Sequence, residues 1–322
     1  MGYGYLVGIV VYKATTVVYY NLFPFKWISA MAVKRLRFGL FCLVWTVSWA
    51  VGASDDLALD NKAERDSKIT VAVASNFLST MKQLVDAYEN DTGRVVRLSG
   101  GSTGKHYAQI LHGAPFDLFF AADDLRPKLL EDKQVGIKGS RFTYAEGALV
   151  IWSPEIPKTT TSITPALDQE ALAVLLTSRR VKTLAMANPK LAPYGRAAQD
   201  VINVLLPGGL TSAGGHKIRV IRGENISQTF QFVMSGTADL AFIAHSQVLD
   251  RNLTDSQKER YKMISEHYRV ISNELHQPIR QQAIRLNDKE STRLFVSFIK
   301  SAVAKNIIES NGYRVVGAVD AG

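Results

Sequence analysis

The sequence predicts an α/β protein with largely parallel sheets, and three observations support this fold class. Short apolar runs with the character of buried strands alternate with amphipathic segments at helical spacing over about residues 68–308. Several strand ends lead directly into a Ser, Thr or Asn that can cap the following helix. With 47% apolar residues, a chain of 322 residues can build about two domains. In parallel sheets the ligand clefts lie at the carboxyl ends of the strands.

The N-terminal region has the organisation of a secretory signal. Residues 31–53 begin with a basic stretch, continue with an apolar run over about 38–49 and end in small residues. We therefore predict a signal peptide over 31–53 that is cleaved after Ala53. Residues 1–30 are apolar and rich in tyrosine, and we interpret them as an extension ahead of the true start at Met31. The alternative is a membrane anchor, although the apolar run is short for a spanning helix.

The formal charge of +9 is mild once the N-terminal region is set aside. Five of the 38 Lys and Arg residues and no acidic residue lie in residues 1–53, so 33 basic minus 29 acidic residues leave +4. No basic run is interleaved with aromatic residues, so the sequence does not predict nucleic-acid binding. The only cysteine, Cys42, follows bulky residues that do not suit a lipoprotein cleavage site. The folded part therefore has no disulfide and no cysteine-based metal site or nucleophile.

The first half of the predicted fold alternates strands and helices from residue 68 onward. The predicted strands are Lys68–Ala74, Arg94–Leu98, Phe116–Ala122 and Ala145–Trp152. The predicted helices follow Ser75-Asn76, begin near Gly104 and cover Leu125–Asp132.

The second half begins after a stretch rich in Ser, Thr and Pro, residues 153–165, which marks a change of unit. The predicted helices are Leu167–Thr177, Arg196–Leu206 and Ser227–Ser235, with an amphipathic helix over Lys289–Ile308 near the end of the chain. The predicted strands are Thr183–Ala187, Lys217–Ile221, Leu240–Ala244 and Pro278–Leu286. Residues 249–265 are polar and are predicted to form a loop.

A glycine-rich turn within LSGGSTGKHYAQI, residues 98–110, can hold an anion. Gly100-Gly101 allow the backbone to approach a ligand closely, and Ser102 or Thr103 can cap the next helix. The start of a helix offers unpaired N–H groups and a partial positive charge. The turn is not a nucleotide-binding P-loop, which requires Gly where Ser99 stands and Ser or Thr where His106 stands. The alternative is an ordinary strand–helix turn with a helix cap.

Four segments together carry a family resemblance. They are VAVASNF at 71–77, GGSTGKHYAQI at 100–110 with GAPFDLFFAAD after it, ANPKLAPYGRAA at 187–198, and GENISQTFQFVMSGTADLAFIA at 223–244. In order and spacing they resemble the periplasmic molybdate-binding proteins that supply molybdate ABC transporters. Gly312-Tyr313, after the last helix, is similar to that family as well. The resemblance covers about residues 68–315.

The resemblance implies a two-lobed periplasmic-binding-protein fold of type II, in which the oxyanion lies in the cleft between the lobes. Two crossing segments join the lobes. The first lobe is expected to be discontinuous, with residues 66–147 plus 247–322, and the second lobe is expected to cover 148–246.

The resemblance also places an oxyanion site on particular residues. The hydroxyl after the first strand falls on Ser75, with Asn76 beside it. The second hydroxyl falls on Thr103, with Ser102 as the near alternative. The backbone contacts of the third and fourth segments fall on Tyr194 and on the N–H of Ile226.

One position departs from the commoner family pattern. Many members have a tyrosine at the end of the strand that here ends in Ala244, so one hydroxyl donor is missing. The hydroxyl of Tyr194 is a candidate replacement. The alternative is that the Tyr194 ring only packs between the lobes.

The expected donors are neutral groups, which suits a fully ionised oxyanion such as molybdate or tungstate. A phosphate site commonly adds an acceptor for the proton of the ligand, and no carboxylate in the four segments is placed to serve as one. Asp123 and Glu224 are the nearest candidates. Lys105, in the first turn of its helix, is expected to point to solvent.

The resemblance therefore implies a monomeric periplasmic receptor that captures molybdate, with tungstate as a second ligand, and delivers it to an ABC permease. The alternatives are a receptor for another oxyanion such as sulfate, or an enzyme on the same two-lobed scaffold. No hydrolase elbow or pair of metal-ligating histidines supports an enzyme or a metal cofactor, and His106, His112 and His245 are expected at the surface or at a hinge.

Overall fold

The computed structural model describes residues 68–158, 168–210, 218–249 and 255–315. The predicted signal peptide over 31–53 and the predicted extension over 1–30 lie outside these residues. Within them, no helix combines the length and the apolar character that crossing a membrane requires.

The first sheet has five strands and contains both ends of the described chain. Its strands, in order across the sheet, are β2 (Val96–Gly101), β1 (Ile69–Ala74), β3 (Leu118–Phe120), β10 (Ile279–Arg285) and β4 (Phe142–Gly147). Strand β1 is parallel to both of its neighbours, whereas β10 is antiparallel to both of its own. The central strands β1 and β3 are almost completely buried, which explains why they are continuous apolar runs.

The second sheet also has five strands. Its strands, in order, are β7 (Arg219–Gly223), β6 (Thr183–Ala187), β8 (Leu240–Ala244), β5 (Leu149–Trp152) and β9 (Tyr268–Val270). Strand β6 is parallel to its neighbours, and β5 is antiparallel to its own. The prediction of largely parallel sheets is therefore right for only half of the strand pairings. The antiparallel pairings in each sheet involve the strands at which the chain crosses between sheets or returns.

The two sheets are connected twice. The predicted strand Ala145–Trp152 is two strands, because the chain leaves the first sheet after β4 and enters the second with β5, on either side of Ala148. The return lies between β9 and β10. Strand β9 was not predicted, and it pairs in the second sheet although the sequence assigned residues 247–322 to the first lobe.

Ten α-helices are described. They are α1 (Leu78–Thr92), α2 (Thr103–Leu111), α3 (Leu125–Asp132), α4 (Gln169–Thr177), α5 (Pro193–Leu205), α6 (Ile226–Met234), α7 (His245–Val248), α8 (Asp255–Glu266), α9 (Glu290–Ile299) and α10 (Ala302–Ser310). A single 3-10 turn, Ser75–Phe77, joins β1 to α1.

Two helical regions differ from the prediction. Residues 255–266, predicted as part of a loop, form α8, whose apolar residues Tyr261 and Ile264 pack into the core of the second sheet. This helix is mostly polar, so its apolar stripe is too narrow to give a clear periodic signal. The single helix predicted over 289–308 is broken at Lys300-Ser301, where the Ser301 hydroxyl caps α10 by accepting from the N–H of Ala304.

Candidate functional site

A small cavity lies at the carboxyl ends of strands from both sheets, where three α-helices and a 3-10 turn begin. All six residues of the predicted oxyanion site line it, namely Ser75, Asn76, Ser102, Thr103, Tyr194 and Ile226. The empty space is about 190 Å³ even when the part open to solvent is counted. Pockets for drug-sized ligands span about 300–1,000 Å³, so this cavity suits a small ion or molecule.

The start of α2 supplies two hydroxyl groups to the cavity. Strand β2 continues to Gly101, further than predicted, and Ser102 is the N-cap of α2, with its Oγ accepting from the N–H of Lys105 at 3.2 Å. The Oγ1 of Thr103 accepts from the N–H of Ala122 at 3.1 Å. Because both hydroxyl oxygens accept from backbone N–H groups, both keep their own proton for a ligand.

The end of β1 supplies Ser75 and Asn76. Among the described residues, the Ser75 hydroxyl has no hydrogen-bond partner, and it lines the cavity. The side-chain nitrogen of Asn76 donates to Oε1 of Gln281 at 2.9 Å and to the hydroxyl of Tyr313 at 3.1 Å. Neither of these acceptors lines the cavity, so both amide protons of Asn76 are directed elsewhere.

Backbone N–H groups from the second sheet complete the lining. Helix α5 begins at Pro193, which has no N–H, and Tyr194 is its second residue. Helix α6 begins at Ile226 behind the N-cap Asn225, whose Oδ1 accepts from the N–H of Gln228 at 2.9 Å. The first N–H groups of a helix have no partner within that helix. Those of Tyr194 and Ile226 are therefore available at the cavity that both residues line.

The hydroxyl of Tyr194 lies among Gln281, Gly147 and Asn76, and of these three residues Asn76 lines the cavity. It lies 3.5 Å from Nε2 of Gln281, and a Cβ atom at Gly147 would collide with it. Gly147 and Gln281 are not part of the cavity lining. Burial raises the pKa of Tyr194 well above its usual value, so the hydroxyl stays protonated. In this arrangement Tyr194 brings its backbone N–H to the cavity, and its hydroxyl is hydrogen-bonded to the side chains of Gln281 and Asn76.

The cavity lining contains no charged side chain. Asp123 is buried, but it is paired with Arg126 and, at 2.8 Å, with Nη2 of Arg196, and it faces a larger groove beside the cavity. Glu224 pairs with Lys105 at 2.5 Å, and both side chains are about half exposed. Asp123 and Glu224, the carboxylates that lie nearest in sequence to the predicted site residues, are therefore paired with basic side chains, and neither lines the cavity.

Polar contacts hold the elements of the two sheets together around the cavity. The N–H of Gly104, in α2, donates to the carbonyl of Leu191 at 2.9 Å. The hydroxyl of Ser227, in α6, donates to the carbonyl of Ser75 at 3.1 Å. Together with the Asp123–Arg196 pair, these contacts close the cleft over the small cavity.

The expected position of one histidine is wrong. His106 was expected at the surface or at a hinge, but its side chain is buried beside Phe116 and Phe119. A Cβ atom at Gly101 would lie 2.8 Å from its Nε2 atom, so a glycine makes room for the ring. Burial lowers the pKa of His106. Among the described residues, no group of three or more His, Cys, Asp or Glu side chains is placed to hold a metal ion.

Two residues beneath the cavity, Gln281 and Gly147, were not predicted from the sequence. Gln281 belongs to β10, far from the four segments in sequence. One signal was present, because residues 279, 281 and 283 occupy the buried positions of this alternating strand and only 281 is polar. A fully buried glutamine among apolar residues indicates a specific hydrogen-bonding role.

Comparisons with known proteins agree with this geometry. The family model for bacterial extracellular solute-binding proteins matches residues 69–314. The chain is 39% identical over 255 residues to the molybdate-binding protein ModA of Azotobacter vinelandii, covering 78% of this chain and 91% of that protein. It is 32% identical over 249 residues to ModA of Rhodobacter capsulatus, covering 76% and 88% of the two chains. The structure is similar to that of the Azotobacter vinelandii periplasmic molybdate-binding protein, with a TM-score of 0.64, 31% identity and coverage of 77% and 100%.

Proposed function

Because the chain belongs to the bacterial extracellular solute-binding proteins, and among them to the molybdate-binding proteins, we propose that it captures molybdate and delivers it to an ABC permease. The observation that carries this proposal is the small cavity at which three α-helices and a 3-10 turn begin, lined by neutral donors and by no charged group. Helix starts favour anions because their N–H groups are unpaired and carry a partial positive charge.

The proposed donor set combines hydroxyl and backbone groups. Ser75 and Thr103 contribute hydroxyls, with Ser102 as a further hydroxyl beside Thr103. Tyr194, Ile226 and Thr103 contribute backbone N–H groups, and Asn76 lies against the same space. A buried tetrahedral dianion requires hydrogen bonds on all its oxygens, because an unpaired buried charge is strongly unfavourable. This set distributes donors from both sheets around one ligand.

The absence of a charged side chain in the lining supports a fully ionised ligand. Phosphate carries a proton near neutral pH and would place it against a lining that offers no carboxylate acceptor. Molybdate and tungstate are fully ionised and tetrahedral, so both fit the donor set. We propose molybdate as the main ligand and tungstate as the second.

The remaining parts of the proposal follow from the fold and the sequence. We propose that each sheet, with its helices, is one lobe, so that the first lobe covers 66–147 and the second begins at 148. Because β9 pairs in the second sheet, we place the return to the first lobe after Val270 and not at 247. We further propose export to the periplasm by the signal over 31–53, action as a monomer, and no enzymatic reaction.

Isothermal titration calorimetry of the exported protein against molybdate, tungstate, sulfate and phosphate tests this proposal. We expect tight binding of molybdate and tungstate, weak binding of sulfate and no binding of phosphate. A bound ligand also raises thermal stability, by about 4 kcal/mol at a thousandfold excess over Kd. Sulfate binding as tight as molybdate binding would reassign the protein to a general oxyanion receptor.

A further inference from the structure

The side-chain amide of Asn76 is positioned by residues that do not line the cavity. Its nitrogen donates one proton to Oε1 of Gln281 at 2.9 Å and the other to the hydroxyl of Tyr313 at 3.1 Å. Asn76 is only 5% exposed and lines the cavity. With both protons engaged, the side chain has none left for an anion, and the end opposite the nitrogen is an oxygen acceptor.

Gln281 connects Asn76 to two tyrosines. Its Oε1 accepts from Asn76 and, at 3.0 Å, from the hydroxyl of Tyr144. Its Nε2 lies 3.5 Å from the hydroxyl of Tyr194. Gln281 is completely buried, and the missing side chain at Gly147 leaves room for the contact with Tyr194. One glutamine thus joins Asn76, at the ligand cavity, to Tyr144 in β4 and Tyr194 in α5.

The donors and acceptors of this cluster can exchange roles, and every polar group of the cluster then still has a hydrogen-bond partner. If the two amides exchange their oxygen and nitrogen ends, Nε2 of Gln281 donates to Oδ1 of Asn76, and the hydroxyl of Tyr194 donates to Oε1 of Gln281. Tyr144 then donates to the carbonyl of Ala121, which lies 3.1 Å from its hydroxyl.

The Tyr313 end of the cluster accommodates the same exchange. The Tyr313 hydroxyl donates to the backbone carbonyl of Asn76 at 2.7 Å, and it can donate to Oδ1 of Asn76 instead. The carbonyl then keeps the hydrogen bond from the hydroxyl of Ser246, which lies 3.2 Å from it. Hydroxyl groups both donate and accept, and the two ends of an amide have nearly the same shape. The exchange turns the nitrogen of Asn76 toward the cavity.

We propose that Gln281 is a positioning residue for the ligand, and that it sets which end of the Asn76 amide faces the cavity. This inference rests on the proposed binding of an oxyanion. Gln281 holds the Asn76 amide from the side away from the cavity, and in the complex the pair is oriented so that an N–H of Asn76 donates to the anion.

A double-mutant cycle on the Kd for molybdate tests this role. Gln281→Met removes the amide but keeps the length of the side chain, and we expect it to weaken binding at least tenfold. In an Asn76→Ala background the same change should weaken binding less than twofold, because Gln281 acts through Asn76. Gln282→Met, on the neighbouring residue of β10, is the matched control and should change Kd less than twofold. An equal loss in both backgrounds, or no loss in the parent, overturns the inference.

Nuclear magnetic resonance of the ¹⁵N-labelled parent provides a test that does not depend on the variants folding. We expect saturating molybdate to shift the side-chain amide signals of both Asn76 and Gln281, while those of Gln282 stay in place. Unchanged Asn76 and Gln281 signals in a protein that binds molybdate overturn the inference alone. A parent that binds no molybdate in calorimetry overturns the proposed function instead.

Discussion

The hydroxyl groups of Ser102 and Thr103 lie side by side but have different structural tasks. Ser102 is the N-cap of α2, whereas Thr103 is the first residue of the helix and is anchored by the N–H of Ala122. We expect Thr103→Ala to weaken molybdate binding by about tenfold to a hundredfold, because a hydrogen bond to a charged group is worth about 1.5–3 kcal/mol.

Ser102→Ala provides the contrast in the same experiment. Loss of an N-cap lowers the free energy of unfolding by about 0.5–2 kcal/mol, so we expect a lower melting temperature with a smaller change in Kd. Calorimetry and thermal unfolding of both variants measure the two effects. If Ser102→Ala loses more affinity than Thr103→Ala, Ser102 is the ligand-binding hydroxyl.

The position of the Tyr194 hydroxyl leads to a second prediction. Because this group contacts the neutral amides of Gln281, at a long 3.5 Å, and of Asn76, Tyr194→Phe removes only neutral hydrogen bonds, with a loss of about 1 kcal/mol. We expect molybdate Kd to rise less than about fivefold, compared with at least tenfold for Thr103→Ala. A loss as large as that of Thr103→Ala in calorimetry would show that the hydroxyl donates directly to the ligand.

Two histidines, the buried His106 and the half-buried His245, predict how stability depends on pH. Burial lowers the pKa of both His106 and His245 relative to the usual value of 6.5. The unfolded chain therefore binds more protons than the folded chain below about pH 6.5, and the free energy of unfolding falls as pH decreases through that region. Below their folded pKa values the dependence levels off.

Denaturant unfolding at pH 7.5, 6.5 and 5.5 measures this dependence. We expect His106→Gln to reduce the loss of stability between pH 7.5 and 5.5, whatever its effect on stability at pH 7.5. His112→Gln, at an exposed position, is the control and should leave the dependence unchanged. A His106→Gln variant with the full dependence of the parent would assign the effect to other groups.

At the residue scale, the sequence predicted the lining of the cavity better than its surroundings. Ser75, Thr103 and Ile226 each follow a strand within a recognisable segment, and all three reach the same cavity. Gln281 and Gly147 come from strands remote in sequence, and their contacts with Tyr194 depend on tertiary packing. Local patterns identify a helix start, but they do not show which way a ring such as that of Tyr194 points.

At the scale of elements, the close packing of α5 on β6 positions the N–H of Tyr194. Gly195 allows this approach, because a Cβ atom there would collide with the carbonyl of Ala187 at the end of β6. We expect Gly195→Ala to displace the start of α5, to lower the free energy of unfolding by about 1–3 kcal/mol and to weaken molybdate binding. Asn203→Ala, at an exposed position of the same helix, is the control for both measurements. If Gly195→Ala has the same free energy of unfolding and the same Kd for molybdate as the parent, this packing is contradicted.

The first and last residues of a helix or strand could be predicted where neighbouring residues in the sequence determine them. The strands over 183–187 and 240–244 match the prediction because each is buried along its whole length. The helix over 125–132 matches as well, although it buries only Pro127 and Leu130. The prediction of one continuous strand over 145–152 is wrong, because an apolar run alone does not reveal that the chain passes from one sheet to the other at Ala148. Helix α8 was missed because few of its residues contact the core.

At the scale of the whole molecule, binding is coupled to the contacts that close the cleft. Gly104 takes part in one of them through its N–H, and a Cβ atom at this position would lie 3.0 Å from the carbonyl oxygen of Leu191. That contact is tight, and the obstructing atom belongs to the backbone between β6 and α5, which lies on the second sheet's side of the cleft. The Cβ atom would also lie 3.2 Å from Nη2 of Arg126, at the end of a flexible side chain that can shift, so a methyl group at Gly104 chiefly opposes the approach of the Leu191 backbone.

Gly104→Ala accordingly separates closure from folding. Position 104 lies in the first turn of α2, where alanine favours the helix over glycine by up to about 1 kcal/mol, so we expect the ligand-free protein to be at least as stable as the parent. Molybdate binding should nevertheless weaken by at least tenfold, with faster dissociation, because the closed state is strained. Thermal unfolding without ligand, calorimetry and stopped-flow dissociation measure the three quantities.

Lys105→Ala, at the neighbouring position, is the matched control and should change all three quantities little. Its pair with Glu224 is about half exposed, and such pairs are worth about 0–1 kcal/mol. Parent-like affinity in Gly104→Ala would show that the ligand is held without the Gly104–Leu191 contact, and that closure at this point is not part of binding.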